Sequence, residues 1–229
     1  MNRSRVRTLV LAALVVFLAL NAALYRMGPR QALHYWAYRA HLTSAPISYA
    51  FESTYGATHQ PTTWAACAQI RYRVDLAGAP AGFDAELTHD LATLSRLTGY
   101  RFVDTGPTVY VPGSTLAAPV VIAWVRPSQM LGQSGVYGVT RPVVTNDLRH
   151  YVGALVLFSR DARAPFVTDP VFARALVLHE LAHVLGLADV ADPSELMNFQ
   201  LGPDATVDHF GPGDLAGLAR LTTPACPGA

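Results

Sequence analysis

Hydrophobic positions change their period several times along the chain, and each change predicts an element. An uncharged apolar run covers Thr8 to Tyr25; as a helix it reaches about 27 Å at 1.5 Å per residue. Residues 26–63 keep no sustained period, despite Tyr35, Trp36 and Tyr38, and read as a stalk or linker. From Trp64 the texture changes. Ile70-Arg71-Tyr72-Arg73-Val74-Asp75 alternates as a half-buried strand does. Phe83, Leu87, Leu91, Leu94 and Leu97 recur at helical spacing and stop at Gly99, which predicts an amphipathic helix closed by glycine. Further strands are expected at Tyr100–Asp104, Val120–Val125, Val136–Val144 and Val152–Ser159. Asp169-Pro170 has the form of an N-cap followed by proline at the first helical position, opening a helix from Val171 to about Leu185. Apolar residues lie nearly all round that helix, so it is expected to be buried. A short final helix is expected after Gly213-Asp214, and the chain holds no internal repeat.

Composition narrows the class. With 229 residues, 51% hydrophobic and 14% charged, the chain can bury a sizeable core and is not disordered in bulk. Its basic residues are all arginine and the net charge is only +1, so no global field draws nucleic acid to the surface, and none is expected as a partner. Arg3, Arg5 and Arg7 stand before the apolar run, the layout of a targeting segment whose N-terminus stays in the cytoplasm. A cleavage site needs small residues at both −3 and −1; around Ala19, Ala22 and Ala23 the position two earlier is Phe17, Leu20 or Asn21. The expected organisation is a basic cytoplasmic N-terminus (1–7), a signal anchor or alternatively a signal peptide (8–25), a stalk (26–63) and a folded domain (64–229). That makes a single-pass cell-membrane protein with its domain extracytoplasmic, or a secreted one if the segment is cleaved.

The chemistry concentrates on the buried helix, which carries His179-Glu180-Leu181-Ala182-His183. Four residues at 100° each leave the imidazoles about 40° apart and one turn along the axis, so both can ligate one metal ion. Glu180 then sits beside the ion, where it can take a proton from a water whose pKa a zinc ion lowers to about 7. A bare HExxH also arises without a metal, so its surroundings matter. Gly186 stands where a helix C-terminus favours positive φ. Had the helix continued, Asp189 would point about 240° away from His183. A turn at Gly186 can instead swing Asp189 back as a third ligand; otherwise it is a loop carboxylate or an outer partner, with Asp192 the nearest substitute. Met197 either fills core or floors the site. His209 reads as surface, pocket wall or a further ligand. His34, His41, His59, His89 and His150 show no ligand spacing, Asp208 reads as a loop carboxylate, and Asp214 as a helix N-cap.

His179-Glu180-x-x-His183-x-x-Gly186-x-x-Asp189, followed by Met197, resembles the metzincin clan of zinc endopeptidases, most closely its matrixin-like branch. The Asp in third place is similar to that of snapalysin-type members. Gly213-Asp214-Leu215-Ala216-Gly217-Leu218 resembles the final helix of matrixins, and Trp64-x-x-Cys67-x-x-Ile70-x-Tyr72 resembles the opening of bacterial matrixin-like proteins. The resemblance implies an α+β fold with a twisted five-stranded mixed sheet, three helices and a Met-turn. It implies Zn2+ held by His179, His183 and Asp189, Glu180 as general base, and Met197 beneath the metal. The pocket for the residue after the scissile bond would lie within Asn198–Gly211 and include Phe199 and His209. A peptide or protein substrate would lie along an edge strand within Gly135–Val144. Two departures stand out: Asn198 replaces the usual Tyr after the methionine, and no PRCGxPD segment precedes the domain.

The function these features imply is an extracytoplasmic zinc-dependent endopeptidase, expected to be a monomer. The alternative is a membrane-anchored metzincin-fold binding or scaffold protein without turnover, and a third reading is cleavage of a non-peptide amide. Retention of Glu180 favours an enzyme. Cys67 and Cys226 are the only cysteines and bracket the domain, so outside the cytoplasm a disulfide between them is expected. The competing reading makes Cys67 a thiolate that blocks the metal.

Overall fold

In a computed structural model, residues 48–113 and 119–222 are described. The expected anchor, the stalk up to residue 47, His34, His41 and Cys226 lie outside them. In chain order the strands and helices are β1 (Ala50–Phe51), β2 (Thr54–Tyr55), β3 (Gln60–Pro61), β4 (Thr63–Trp64), β5 (Gln69–Asp75), α1 (Phe83–Thr98), β6 (Arg101–Pro107), β7 (Val120–Val125), β8 (Gly138–Val144), β9 (His150–Ser159), α2 (Arg163–Thr168), α3 (Pro170–Leu185), β10 (Leu187–Ala188) and α4 (Pro212–Leu221). Among the described residues no helix is long and apolar enough to cross a membrane.

The five longer strands form a mixed sheet in the order β6-β5-β7-β9-β8, with the two-residue β4 added alongside the start of β9. β5, β6, β7 and β9 run parallel, and β8 is antiparallel to β9. β8 therefore forms one edge of the sheet, which is compatible with Pro142 in its middle because an edge strand can spare a donor. Side chains alternate between two cores. On one face Ile122, Trp124, Val156 and Phe158 meet the helices; on the other Ala123, Val125, Leu155 and Leu157 pack with Met130 under the loops. At the centre of the helical side, Phe83 from α1 stands edge-on to Trp124 and Phe158 at 5.3 and 5.4 Å, and Trp124 stacks on Phe158 at 5.1 Å.

All five strand expectations and both long helices agree with the structure to within about three residues at each end. Asp169 caps α3 as expected, its carboxylate accepting from the N–H groups of Val171 and Phe172. Every residue of α3 from Ala175 to Leu185 is buried. Leu97 departs from the expected stripe of α1: it is 44% exposed, while Asp90 and Thr98 are buried instead. A fourth helix, α2, is additional to the expected three. Six residues are too few to display a helical period, and Pro165 falls in its first turn, where no backbone donor is needed.

The larger correction concerns the expected stalk, whose last part belongs to the folded domain. β1 pairs antiparallel with β10, Ala50 opposite Ala188 and Phe51 opposite Leu187. β2 and β3 form a hairpin, and Thr63-Trp64 pairs with His150-Tyr151. Tyr49 packs against Gly217 of α4, where a Cβ would stand 2.9 Å from the Tyr49 Cβ. Two-residue strands have no period to read, and the partners of β1 and β4 are more than eighty residues away.

Candidate metal centre

The site forms where α3 ends. Trp64 donates its indole N–H to the Val184 carbonyl at 2.8 Å, satisfying one of the last helical acceptors. Gly186 closes the helix at φ 111°, and a side chain there would meet the Tyr151 ring at 2.7 Å, so both conformation and space require glycine. The chain then turns through β10 and returns Asp189 to the two histidines. Asp189 Oδ1 lies 3.2 Å from His179 Nε2 and 3.5 Å from His183 Nε2, and the two Nε2 atoms are 3.1 Å apart.

Tautomers follow from the other ring nitrogens. His179 Nδ1 lies 2.9 Å from the Leu196 carbonyl and His183 Nδ1 lies 2.7 Å from the Leu187 carbonyl. A carbonyl can only accept, so both protons sit on Nδ1 and both Nε2 atoms carry lone pairs. Two lone pairs and a carboxylate oxygen thus converge in a buried spot, and Asp189 Oδ1 has no hydrogen-bond donor among the described residues. Such an arrangement is repulsive unless a cation or protons fill it. Burial lowers the proton affinity of both imidazoles, yet Asp189 outweighs it and raises their pKa values. Burial would likewise raise that of Asp189, and the two imidazoles hold it far below the carboxylate range. These three residues offer ligand atoms within 4.8 Å of one another, the only such group among the described residues. Two imidazole nitrogens and one carboxylate oxygen fit a small divalent transition-metal ion with open coordination positions.

Glu180 is buried beside this group without joining it. Its Oε2 accepts the Thr140 hydroxyl at 2.7 Å, and that hydroxyl also lies 3.1 Å from the Glu180 carbonyl. Burial pushes the Glu180 carboxyl above its ordinary range, while both imidazoles and Thr140 pull the other way. A Cβ at Gly138 would collide with the same carboxylate, so the bare backbone of β8 makes room for it. Together they line a cleft of about 330 Å³ that also includes Gly135, Tyr137, Phe199 and Glu52.

The turn after Asp189 is held by a reciprocal pair of carboxylates. Glu195 accepts from Gly213 N–H at 2.8 Å and Asp214 N–H at 2.9 Å, at the start of α4. Asp214 in return accepts from Leu196 N–H at 2.7 Å and from Gly211 N–H at 3.0 Å. Burial and Glu195 raise the Asp214 carboxyl to about 6 against its backbone hydrogen bonds. Since Leu196 also anchors His179, the start of α4 is tied to a candidate ligand through one residue.

No protein-family model matches the chain, and no curated protein does. Among solved structures it is similar to metalloproteinase-II from Bacteroides fragilis, at 12% identity and a TM-score of 0.43, over 79% of this chain and 60% of that one. The chain thus spans less than two thirds of that protein. A superposition this loose decides nothing, and the functional reading rests on the site's own chemistry.

His179, Glu180, His183, Asp189 and Phe199 line the same cleft. Met197 is buried in the turn that Asp214 holds, its N–H 3.4 Å from Asp214 Oδ1. His209 is a correction: it lies in a separate depression with His89 and Asp90, beside Asp208 at 3.2 Å. Asp192 is not a substitute ligand, because it accepts from Ser194 N–H and hydroxyl at 3.0 and 2.7 Å. Asp214 is not an N-cap but the third residue of its helix, reaching back to Gly211. Cys67 occupies a turn before β5, and no cysteine among the described residues is free. Sequence reading missed Thr140, Gly138, Glu195 and Glu52. The Glu195-to-Asp214 pair carried no signal at all, since its partners are far apart in sequence.

Proposed function

We propose that this chain is a zinc-dependent endopeptidase of the metzincin type, matrixin-like in its extended motif. It would act outside the cytoplasm, tethered by residues 8–25 or released after their cleavage. The observation that supports it is the convergence of His179 Nε2, His183 Nε2 and Asp189 Oδ1 beside a buried Glu180 that is kept out of the donor set. A zinc ion held there would polarise a scissile carbonyl and acidify a water molecule. Glu180 would take that water's proton: Thr140 engages Oε2, Oε1 would serve as the base, and burial, which raises the Glu180 carboxyl, would favour its passing the proton on to the leaving amine. β8 contributes its free edge, along which an extended peptide can pair. Phe199 lines the same cleft and would contact a substrate side chain.

Metal analysis and cleavage of a peptide library test this reading. Wild type should hold one zinc per chain and cleave. Glu180→Gln should hold the zinc and lose turnover by orders of magnitude, and Asp189→Ala should lose most of the zinc. Equal cleavage by wild type and Glu180→Gln would overturn the assignment of the base. Stoichiometric zinc retained by Asp189→Ala would overturn the ligand set. Zinc binding with no cleavage of any peptide would favour a binding protein.

A further inference from the structure

Glu52 is the one residue of the cleft that comes from the segment ahead of the sheet. Its Oε1 lies 3.0 Å from His183 Nδ1. That nitrogen is on the edge of the ring facing away from the converging Nε2 atoms, and Glu52 is not among the three residues whose ligand atoms cluster. Its carboxylate therefore cannot be a ligand in this arrangement. It shares the Nδ1 proton with the Leu187 carbonyl at 2.7 Å.

The backbone fixes this contact. Phe51 pairs with Leu187 across the β1–β10 ladder, and Glu52 N–H donates to the Gly186 carbonyl at 2.9 Å. Residue 52 is thereby registered against the turn between His183 and Asp189. The segment is held at its other side as well: Thr62 N–H donates to the Ser53 carbonyl at 2.9 Å, and the Thr62 hydroxyl lies 3.0 Å from the Ser53 hydroxyl. An acidic side chain delivered to a buried imidazole by two independent backbone anchors is more than a surface ion pair.

We propose that Glu52 is a positioning residue of the metal centre, and that the segment upstream of the sheet is part of that centre. The proposal rests on the metal-binding reading above. A carboxylate on the outer N–H of a ligating histidine fixes the tautomer, holds the ring plane and makes Nε2 a stronger donor. Here the neutral Leu187 carbonyl already orients the ring, and Glu52 adds the negative charge that a carbonyl lacks. His179, whose Nδ1 meets the Leu196 carbonyl, has no such carboxylate beside that nitrogen among the described residues. The two imidazoles are therefore unequal donors, and His183 is the stronger.

The test uses the full-length chain stripped of metal by a chelator. Zn2+ affinity is measured by competition with a chromophoric chelator, the visible absorption of the Co2+ form is recorded, and the metal-free proteins are melted. Glu52→Ala should weaken Zn2+ binding about tenfold to a hundredfold, as loss of an outer carboxylate partner does elsewhere. It should also shift the cobalt bands, a change that loss of packing alone would not produce, while the metal-free melting temperature stays near that of wild type. Glu52→Gln keeps the shape without the charge and should show the same direction; it carries the comparison if Glu52→Ala fails to fold. Wild-type affinity and an unshifted cobalt spectrum in both variants would overturn the proposal and leave the metal centre standing. A wild type that binds no Zn2+ would overturn both. A wild type that binds Zn2+ but cleaves nothing would refute the peptidase reading alone, with the loss of affinity still upholding Glu52.

Discussion

Asp90 should make the domain less stable as pH rises, and replacing it should remove that dependence. It sits on α1 with 1% of its surface exposed, and neither carboxylate oxygen has a hydrogen-bond partner among the described residues. Arg174, the cation that acts on it, is engaged by Glu86, its Nε 3.2 Å from Oε1. Burial therefore lifts the Asp90 carboxyl to about 8, with Glu86 and Asp208 adding to the effect and Arg174 opposing it. The folded state then binds more protons than the unfolded chain between the ordinary value of 3.8 and about 8. With that sign, unfolding free energy falls as pH rises through the window, approaching a slope of about 1.4 kcal/mol per pH unit. Integrated over the window, the loss is roughly 5–6 kcal/mol at most, because local opening that wets the carboxylate limits the cost to the free energy of that opening. Urea unfolding of wild type and Asp90→Asn between pH 5 and pH 8 measures it. Near pH 5 the variant should be more stable by only about 1–2 kcal/mol, and by pH 8 the difference should have grown to several kcal/mol. Parallel stability curves for the two proteins would refute the reasoning and show that Asp90 finds a donor or water that offsets its burial.

Other expectations follow from the site and its surroundings. Thr140→Val removes the donor to Glu180 Oε2 at 2.7 Å; a hydrogen bond to a charged group contributes roughly 1.5–3 kcal/mol, so kcat should fall about tenfold to a hundredfold with zinc content unchanged, and unaltered kcat would show that the hydroxyl does not orient the base. Phe199→Ala should change the cleavage-site profile while His209→Ala leaves it as in wild type, because only Phe199 lines the cleft; an altered profile in the His209 variant would move the pocket. A Cys67–Cys226 bridge would close a loop of about 160 residues and stabilise the fold by roughly 5 kcal/mol in the chain-entropy model, so Cys67→Ser should lower Tm. Thiol titration of the unreduced, denatured protein should find no free thiol, and two would dismiss the bridge.

Sequence alone determined the parts of this protein whose cause is local. The period of Phe83, Leu87, Leu91 and Leu94, the Asp169-Pro170 start and the Gly186 stop each set an element through neighbours a few residues away. The i, i+4 geometry of His179 and His183 belongs to any α-helix, which is why the paired imidazoles were legible before the fold was. Their companion was legible only as an option: the spacing allowed Asp189 to return, and the Gly186 turn with the β1–β10 ladder decided that it does. Tertiary structure alone placed Thr140 and Gly138 against Glu180, because β8 reaches α3 across a separation of about forty residues. It alone moved His209 out of the cleft, exchanged Asp214 from an N-cap to the holder of the Met197 turn, and drew Glu52 out of an apparent stalk onto His183. Each of these depends on which backbone lies opposite which, a matter settled by burying the two faces of one sheet and pairing its short flanking strands. Periodicity along a chain records which side of an element is buried and leaves open what it is buried against.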